Sequence, residues 1–148
     1  MDPRASLESN LKNSSVWLVI FLLSLVLPLI LIPVISITGY SEIIEEAAKA
    51  ALIFFLILRL PNLKQQFAGV LVFGFLFGLS ENIFYLNNIF RNGNFTFFGQ
   101  RFFTAVPMHI ITALAFFFFA KIKKWWIFAG FVSAVILHIL YNLLILKY

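Results

Sequence analysis

Long apolar runs broken by short polar stretches set the pattern of this chain. Residues 16–37 contain 22 consecutive positions without a charge. As a helix, such a run crosses about 30 Å of hydrocarbon. Pro28 and Pro33 are expected to kink it. Ahead of it, residues 1–15 read as a polar tail carrying Asp2, Arg4, Glu8 and Lys12. The run is too long for the apolar core of a signal peptide, and no small-x-small cleavage site follows it, so cleavage is not expected. Further helices are predicted over 42–60, 67–87, 101–120 (starting at Gln100 or Arg101) and 125–146. Ser41 is the expected N-cap of the second, and Pro61-Asn62 closes it. Lys121 to Lys124 makes a tight basic turn, followed by Trp125 and Trp126 as interfacial anchors. The runs are continuous and lack a period of two, which excludes a β-barrel. The pattern predicts an all-α, polytopic transmembrane helix bundle of about five spans, a single domain over 16–148.

Composition agrees. Hydrophobic residues make up 62% of the 148, and charged residues 11%. A soluble domain carries roughly 25% charged residues. So few charges cannot wet so much apolar surface, which argues against a soluble enzyme, a disordered chain and a nucleic-acid-binding domain. The net charge of +5 falls in loops rather than on a basic stripe, so no nucleic-acid partner is expected. The chain has no Cys, which removes disulfides, thiolate ligands and thiol nucleophiles.

Loop charge gives the orientation. Arg4, Lys12, Arg59, Lys64, Lys121, Lys123 and Lys124 fall on one side. Arg91, Arg101 and Lys147 fall on the other. The positive-inside rule then predicts a multi-pass protein of the cell membrane, with a cytoplasmic N-terminus and an external C-terminus. The stretch 88–99, with Phe90, Phe95, Phe97 and Phe98, is expected to be the longest connection and to lie on the outer side. Its Asn94-Phe95-Thr96 matches a glycosylation sequon, read as a chance match close to the membrane.

The remaining polar residues matter because an ionisable group inside a membrane is costly and is by default a functional candidate. With 1.5 Å of rise per residue, Glu45 and Glu46 lie roughly 5–6 Å inside the outer boundary, Asn142 about 6 Å, Asn82 about 8 Å, Glu81 about 9 Å, Lys49 about 10 Å, and His109 and His138 about 12 Å. Four helices of alternating direction thus put their polar residues in one slab. Glu42, Glu45, Glu46 and Lys49 follow i, i+3, i+4, i+7 and form one stripe. Gly74 and Gly78 form a small-xxx-small pair that lets a neighbouring helix approach closely. Glu81, one turn further on, then faces a helix–helix seam.

Two histidines with two or three carboxylates suit hydrolysis by an activated water. A base must take the water's proton, and a cation or donors must hold the oxyanion. Glu45 or Glu46 is the candidate base. His109 and His138 either bind a metal, with Glu81 as a carboxylate ligand to Zn²⁺ and one position open for water, or stabilise the oxyanion without a metal. The residue list leaves both open. Plainer roles compete. The helix dipole alone favours Glu42 at a helix start. Lys49 suits charge balance for Glu45 or Glu46. Asn82 and Asn142 suit orienting roles. Arg101 either snorkels to the interface or holds a site carboxylate. The Phe116–Phe119 run is packing or lipid-facing.

Four segments together resemble a known family. They are Glu45-Glu46-Ala47-Ala48-Lys49 (Glu-Glu-x-x-Lys), Phe73-Gly74 through Phe77, Glu81-Asn82 and Tyr85 (Phe-Gly-x-x-Phe-x-x-x-Glu-Asn-x-x-Tyr), Arg101 with Pro107-Met108-His109, and His138 with Asn142 (His-x-x-x-Asn). In this order, one per span, they resemble the PrsW family of intramembrane proteases, which is distantly similar to the CAAX-protease and bacteriocin-processing (CPBP/Abi) membrane proteases. The resemblance covers about Glu42 to Asn142. It implies peptide-bond cleavage in or near the bilayer, with a membrane-anchored protein as substrate. It places catalysis on Glu45, Glu46, Glu81, His109 and His138, with Asn142 in support; Lys49, Asn82 and Arg101 are supporting candidates from the residue pattern itself. No glycine lies in the helix just after His109, where close packing wants a small residue; Ala113 and Ala115 are the substitutes. Two other functions fit buried acids and histidines: a small ion- or proton-coupled transporter component, and an inactive relative that binds membrane segments. The polar slab stops in the outer half and no internal repeat is evident, which speaks against transport.

Overall fold

The structure, a computed structural model, describes residues 3–92 and 95–145. Side chains are described for 14–86, 96 and 98–144. Five α-helices follow one another: α1 Pro3–Thr38, α2 Ser41–Arg59, α3 Leu63–Asn92, α4 Phe95–Ile122 and α5 Ile127–Ile145. A single 3-10 turn, Lys124–Trp126, joins the last two. No strand occurs among the described residues. Four of the helices (α1, α3, α4, α5) are long and apolar enough to cross a membrane. α2 has 19 residues, a length of about 28 Å, but carries Glu42, Glu45, Glu46 and Lys49. About five spans is therefore close, and the fold is a multi-pass membrane bundle.

Several boundaries differ from expectation, each for a local reason. α1 begins at Pro3, so most of the expected polar tail continues the first helix. It runs on through Pro28 and Pro33 to Thr38 and is stopped by Gly39, whose φ of +72° favours a residue without Cβ. The Gly39 amide donates to the Ile35 carbonyl at 2.8 Å and caps the helix. Ser41 is the first residue of α2 rather than its cap; its hydroxyl donates to Glu42 Oε2 at 3.0 Å. α2 ends before Pro61, where the preceding Leu60 is extended. Its last carbonyls, of Ile57 and Leu60, accept from Gln66 Nε2 at 3.0 and 2.7 Å. Asn62 Oδ1 accepts from the Gln65 amide at 2.9 Å. That cap starts α3 at Leu63, four residues before the predicted position. The long loop expected over 88–99 is largely helical, since α3 continues to Asn92 and α4 starts at Phe95. Asn94 of the sequon lies outside the described residues.

The tightest seam runs between α3 and α4. A Cβ on Gly74 would stand 2.9 Å from the Ile110 Cα and 3.1 Å from the Ala113 Cβ. A Cβ on Gly78 would stand 2.9 Å from His109 Cδ2 and 3.0 Å from the Val106 Cα. The glycine pair thus sets His109 against α3, and Ala113 supplies the expected small residue. Gly130 makes a looser version of the same contact between α5 and α4, 3.2 Å from the Phe116 Cα. The core below is apolar, with Ile53, Leu56, Val70, Phe73, Phe116 and Ala134 buried. α1 packs on α3 and α2, where Ser80 Oγ donates to the Leu25 carbonyl at 2.6 Å.

Candidate active site

The site lies at the end of the bundle marked by Gly39, where α2 and α4 begin and α3 and α5 end. Consecutive residues on a helix are rotated by about 100°, so Glu45 and Glu46 address different neighbours. Glu45 faces Glu81 of α3 and His109 of α4. One ligand atom from each of these three lies within 4.8 Å of the others. Glu46 faces α5, where His138 Nδ1 is 2.8 Å from its Oε1.

Lys49 ties the two groups together. It is 0% exposed. Its ammonium donates to Glu46 Oε1 at 2.7 Å, to His109 Nδ1 at 2.6 Å and to Thr112 Oγ1 at 3.3 Å. All three protons are used, which is what a buried ammonium requires. With Nδ1 accepting from Lys49, the His109 ring proton sits on Nε2 and is donated to Glu81 Oε2. The other Glu81 oxygen accepts from Arg101 Nη2 at 3.0 Å. On the α5 side a carboxylate only accepts, so His138 carries its proton on Nδ1. Its Nε2 is then a free lone pair, 3.9 Å from Glu45 Oε2. The two imidazoles lie edge to face, with centroids 5.5 Å apart. The chain Glu81–His109–Lys49–Glu46–His138 is continuous, and it returns to Glu45 beside Glu81.

Eight of the nine residues singled out from the sequence are joined at or beside this centre by the contacts above and below, but some occupy other places than expected. Glu45, rather than His138, joins Glu81 and His109 in the compact donor trio. Arg101 does not snorkel: it is 2% exposed, bound to Glu81, with its guanidinium 3.6 Å from the Tyr85 ring centroid. Asn142 Nδ2 donates to Glu42 Oε1 at 2.8 Å, so it orders the helix start rather than a trio carboxylate. Asn82 is buried, and its amide bonds to no protein group among the described residues. Thr112 and the Thr104–Tyr141 contact of 3.1 Å went unremarked in the sequence. Thr112 sits three residues after His109 in an otherwise apolar run, which was the available signal.

The trio suits a metal ion by its chemistry. Two carboxylates and an imidazole are donors that Zn²⁺ accepts, with room for a water. Glu45 Oε2 is buried and takes no hydrogen bond from the protein, as an oxygen reserved for a cation would be. A cation held at the trio would take the place of the proton on His109 Nε2, while Nδ1 stays against Lys49.

No curated protein and no solved structure matches the chain. A family model described as PrsW family intramembrane metalloprotease matches residues 13–148, nearly the whole length. With that match and the convergence of its four motif segments on one centre, the chain belongs to the PrsW family of intramembrane metalloproteases.

Proposed function

We propose that this chain hydrolyses a peptide bond of a membrane-anchored protein in the outer half of the cell membrane. Glu45, Glu81 and His109 hold a divalent metal, zinc being the best fit to the donors. His138 carries the proton. The observation that carries this reading is the trio within 4.8 Å with the Glu46-backed His138 beside it.

Held by the trio, a divalent ion would supply Lewis acidity toward a bound oxygen. The chain's own groups do the rest. Glu46 accepts from His138 Nδ1 and so fixes the ring with its Nε2 lone pair toward Glu45. That nitrogen takes a proton from the attacking water as the C–O bond forms. It returns the proton to the leaving amine as the C–N bond breaks. Arg101 holds Glu81 in place through one oxygen and is itself fixed on Tyr85. Lys49 fixes His109 and balances Glu46. The orientation expected from loop charge, with the N-terminus cytoplasmic, places this end outside.

Glu45→Gln, Glu81→Gln and His109→Ala are each expected to abolish cleavage of a membrane-anchored reporter while the protein still inserts and folds. His138→Gln is expected to lower kcat by about 10²–10⁴-fold with little change in KM. Cleavage retained in the first three variants contradicts the reading. Proton or ion flux through purified protein in liposomes would favour transport instead. Against transport, the polar network stops at Lys49 and Thr112, and Ile53, Phe73 and Phe116 lie beyond it.

A further inference from the structure

Charge is divided between the two ends of the bundle. Among the described side chains, the acids Glu42, Glu45, Glu46 and Glu81 all lie at the Gly39 end. Arg59, Lys64, Lys121, Lys123 and Lys124 all lie at the other. Two of these cations share a cleft. Lys64 from the first turn of α3 and Lys121 from the last turn of α4 line it with Leu63, Phe67, Phe117 and Phe118. The floor is aromatic. The Phe67 ring meets Phe117 edge-on, with centroids 5.9 Å apart, and lies 6.4 Å from Phe118. Phe67 and Phe118 are exposed, so this floor faces the hydrocarbon.

Lys121 is held in place without being neutralised. Its ammonium donates to Gln66 Oε1 and stands 5.4 Å from the Phe117 ring centroid. Gln66 is buried, and its Nε2 is committed to the Ile57 and Leu60 carbonyls at the end of α2. Its oxygen is what remains for Lys121. An amide oxygen and an aromatic face steady the ammonium but bring no opposite charge. Neither Lys64 nor Lys121 forms an ion pair among the described residues. Two uncompensated cations from two helices, over an apolar floor, suit an amphiphile with an anionic group at its head. A free phosphate has nothing for the rings, and an acidic peptide has little.

We propose that this cleft binds an anionic phospholipid of the adjoining leaflet, with its phosphate between Lys64 and Lys121 and an acyl chain across Phe67 and Phe118. In the orientation expected from loop charge, that leaflet is the cytoplasmic one. The lipid ties the start of α3 to the end of α4, the two helices whose glycine seam places His109. Phosphatidylcholine offers the same chains, but a choline ammonium offsets its phosphate. The preference between the two lipids therefore reads the lysine pair. The inference concerns binding alone and stands apart from the hydrolase reading.

The test uses the full chain, purified in detergent, with dioleoyl phosphatidylglycerol and dioleoyl phosphatidylcholine. In native mass spectrometry the wild type is expected to retain phosphatidylglycerol about tenfold better than phosphatidylcholine. The double variant Lys64→Gln, Lys121→Gln should lose that preference. Lys123→Gln, Lys124→Gln removes the same charge outside the cleft and should keep it. A photo-reactive phenylalanine analogue in place of Phe118 should capture phosphatidylglycerol ahead of phosphatidylcholine. The same analogue in place of Phe103, exposed at the Gly39 end, should capture both alike. Equal retention of the two lipids by the wild type, equal loss from both lysine pairs, or equal capture at position 118 overturns the proposal. Displacement of the lipid by inorganic phosphate overturns it in favour of a plain anion site. Displacement by a soluble Glu-rich peptide overturns it in favour of a protein partner. Should the cleft variant fail to fold, the wild-type preference and the capture at position 118 decide.

Discussion

Lys49 brings three protons to three acceptors and is itself fully buried. Removing it would leave Glu46 buried with a hydrogen bond from His138 Nδ1 and no opposite charge. Breaking a buried pair from one side costs about 3–5 kcal/mol, because the partner's charge remains without compensation. Lys49→Met is therefore expected to lower the midpoint of thermal unfolding in detergent markedly. The double variant Lys49→Met, Glu46→Gln should recover part of the loss, since the stranded charge is gone. Equal melting of wild type and Lys49→Met would show that the ammonium is not what holds Glu46. Much of this centre was legible in the sequence. Acids and histidines inside apolar runs stand out, and their matched depths point to one slab. Which of them touch was not legible. Glu45 and Glu46 are neighbours in the chain, yet they face α3 and α5 respectively. Only the order of the helices around the bundle decides that, and spacing along a single helix does not encode it.

At the scale of elements, the α3–α4 seam is what places His109. A methyl group at Gly78 would meet the Val106 Cα, which cannot rotate aside. A methyl at Gly69 would meet the Leu60 Cδ1 at 2.9 Å, the far end of a flexible side chain. Gly78→Ala is thus expected to destabilise by about 1–3 kcal/mol and to lower reporter cleavage by displacing His109. Gly69→Ala should be tolerated. Paired melting and cleavage measurements check this, and equal effects from both substitutions would contradict the seam's role. The glycine pair could be read from its spacing. The extended ends of α3 and α4 could not, because residues 88–99 show no apolar periodicity of the kind that marks a span. At the other end, the cap supplied by Asn62 reads equally well as the close of α2.

For the whole molecule, the polar network lies at one end and the apolar core at the other. Positive loop charge at the core end gives the expected orientation, with the Gly39 turn outside and the Lys121–Lys124 turn in the cytoplasm. The native chain has no Cys, so single cysteines report topology without background. A membrane-impermeant thiol reagent added to intact cells should label Gly39→Cys and spare Lys123→Cys. The reverse pattern would turn the molecule over and put the carboxylates on the cytoplasmic side.

The central claim is that Glu45, Glu81 and His109 form a metal centre for peptide hydrolysis. The most direct measurement is elemental analysis of the purified full chain, taken with reporter cleavage before and after chelation. The account predicts about one divalent ion per chain, lost in Glu81→Gln and His109→Ala. It also predicts cleavage that disappears on chelation and returns with added zinc. Full cleavage by a chain stripped of metal would contradict it.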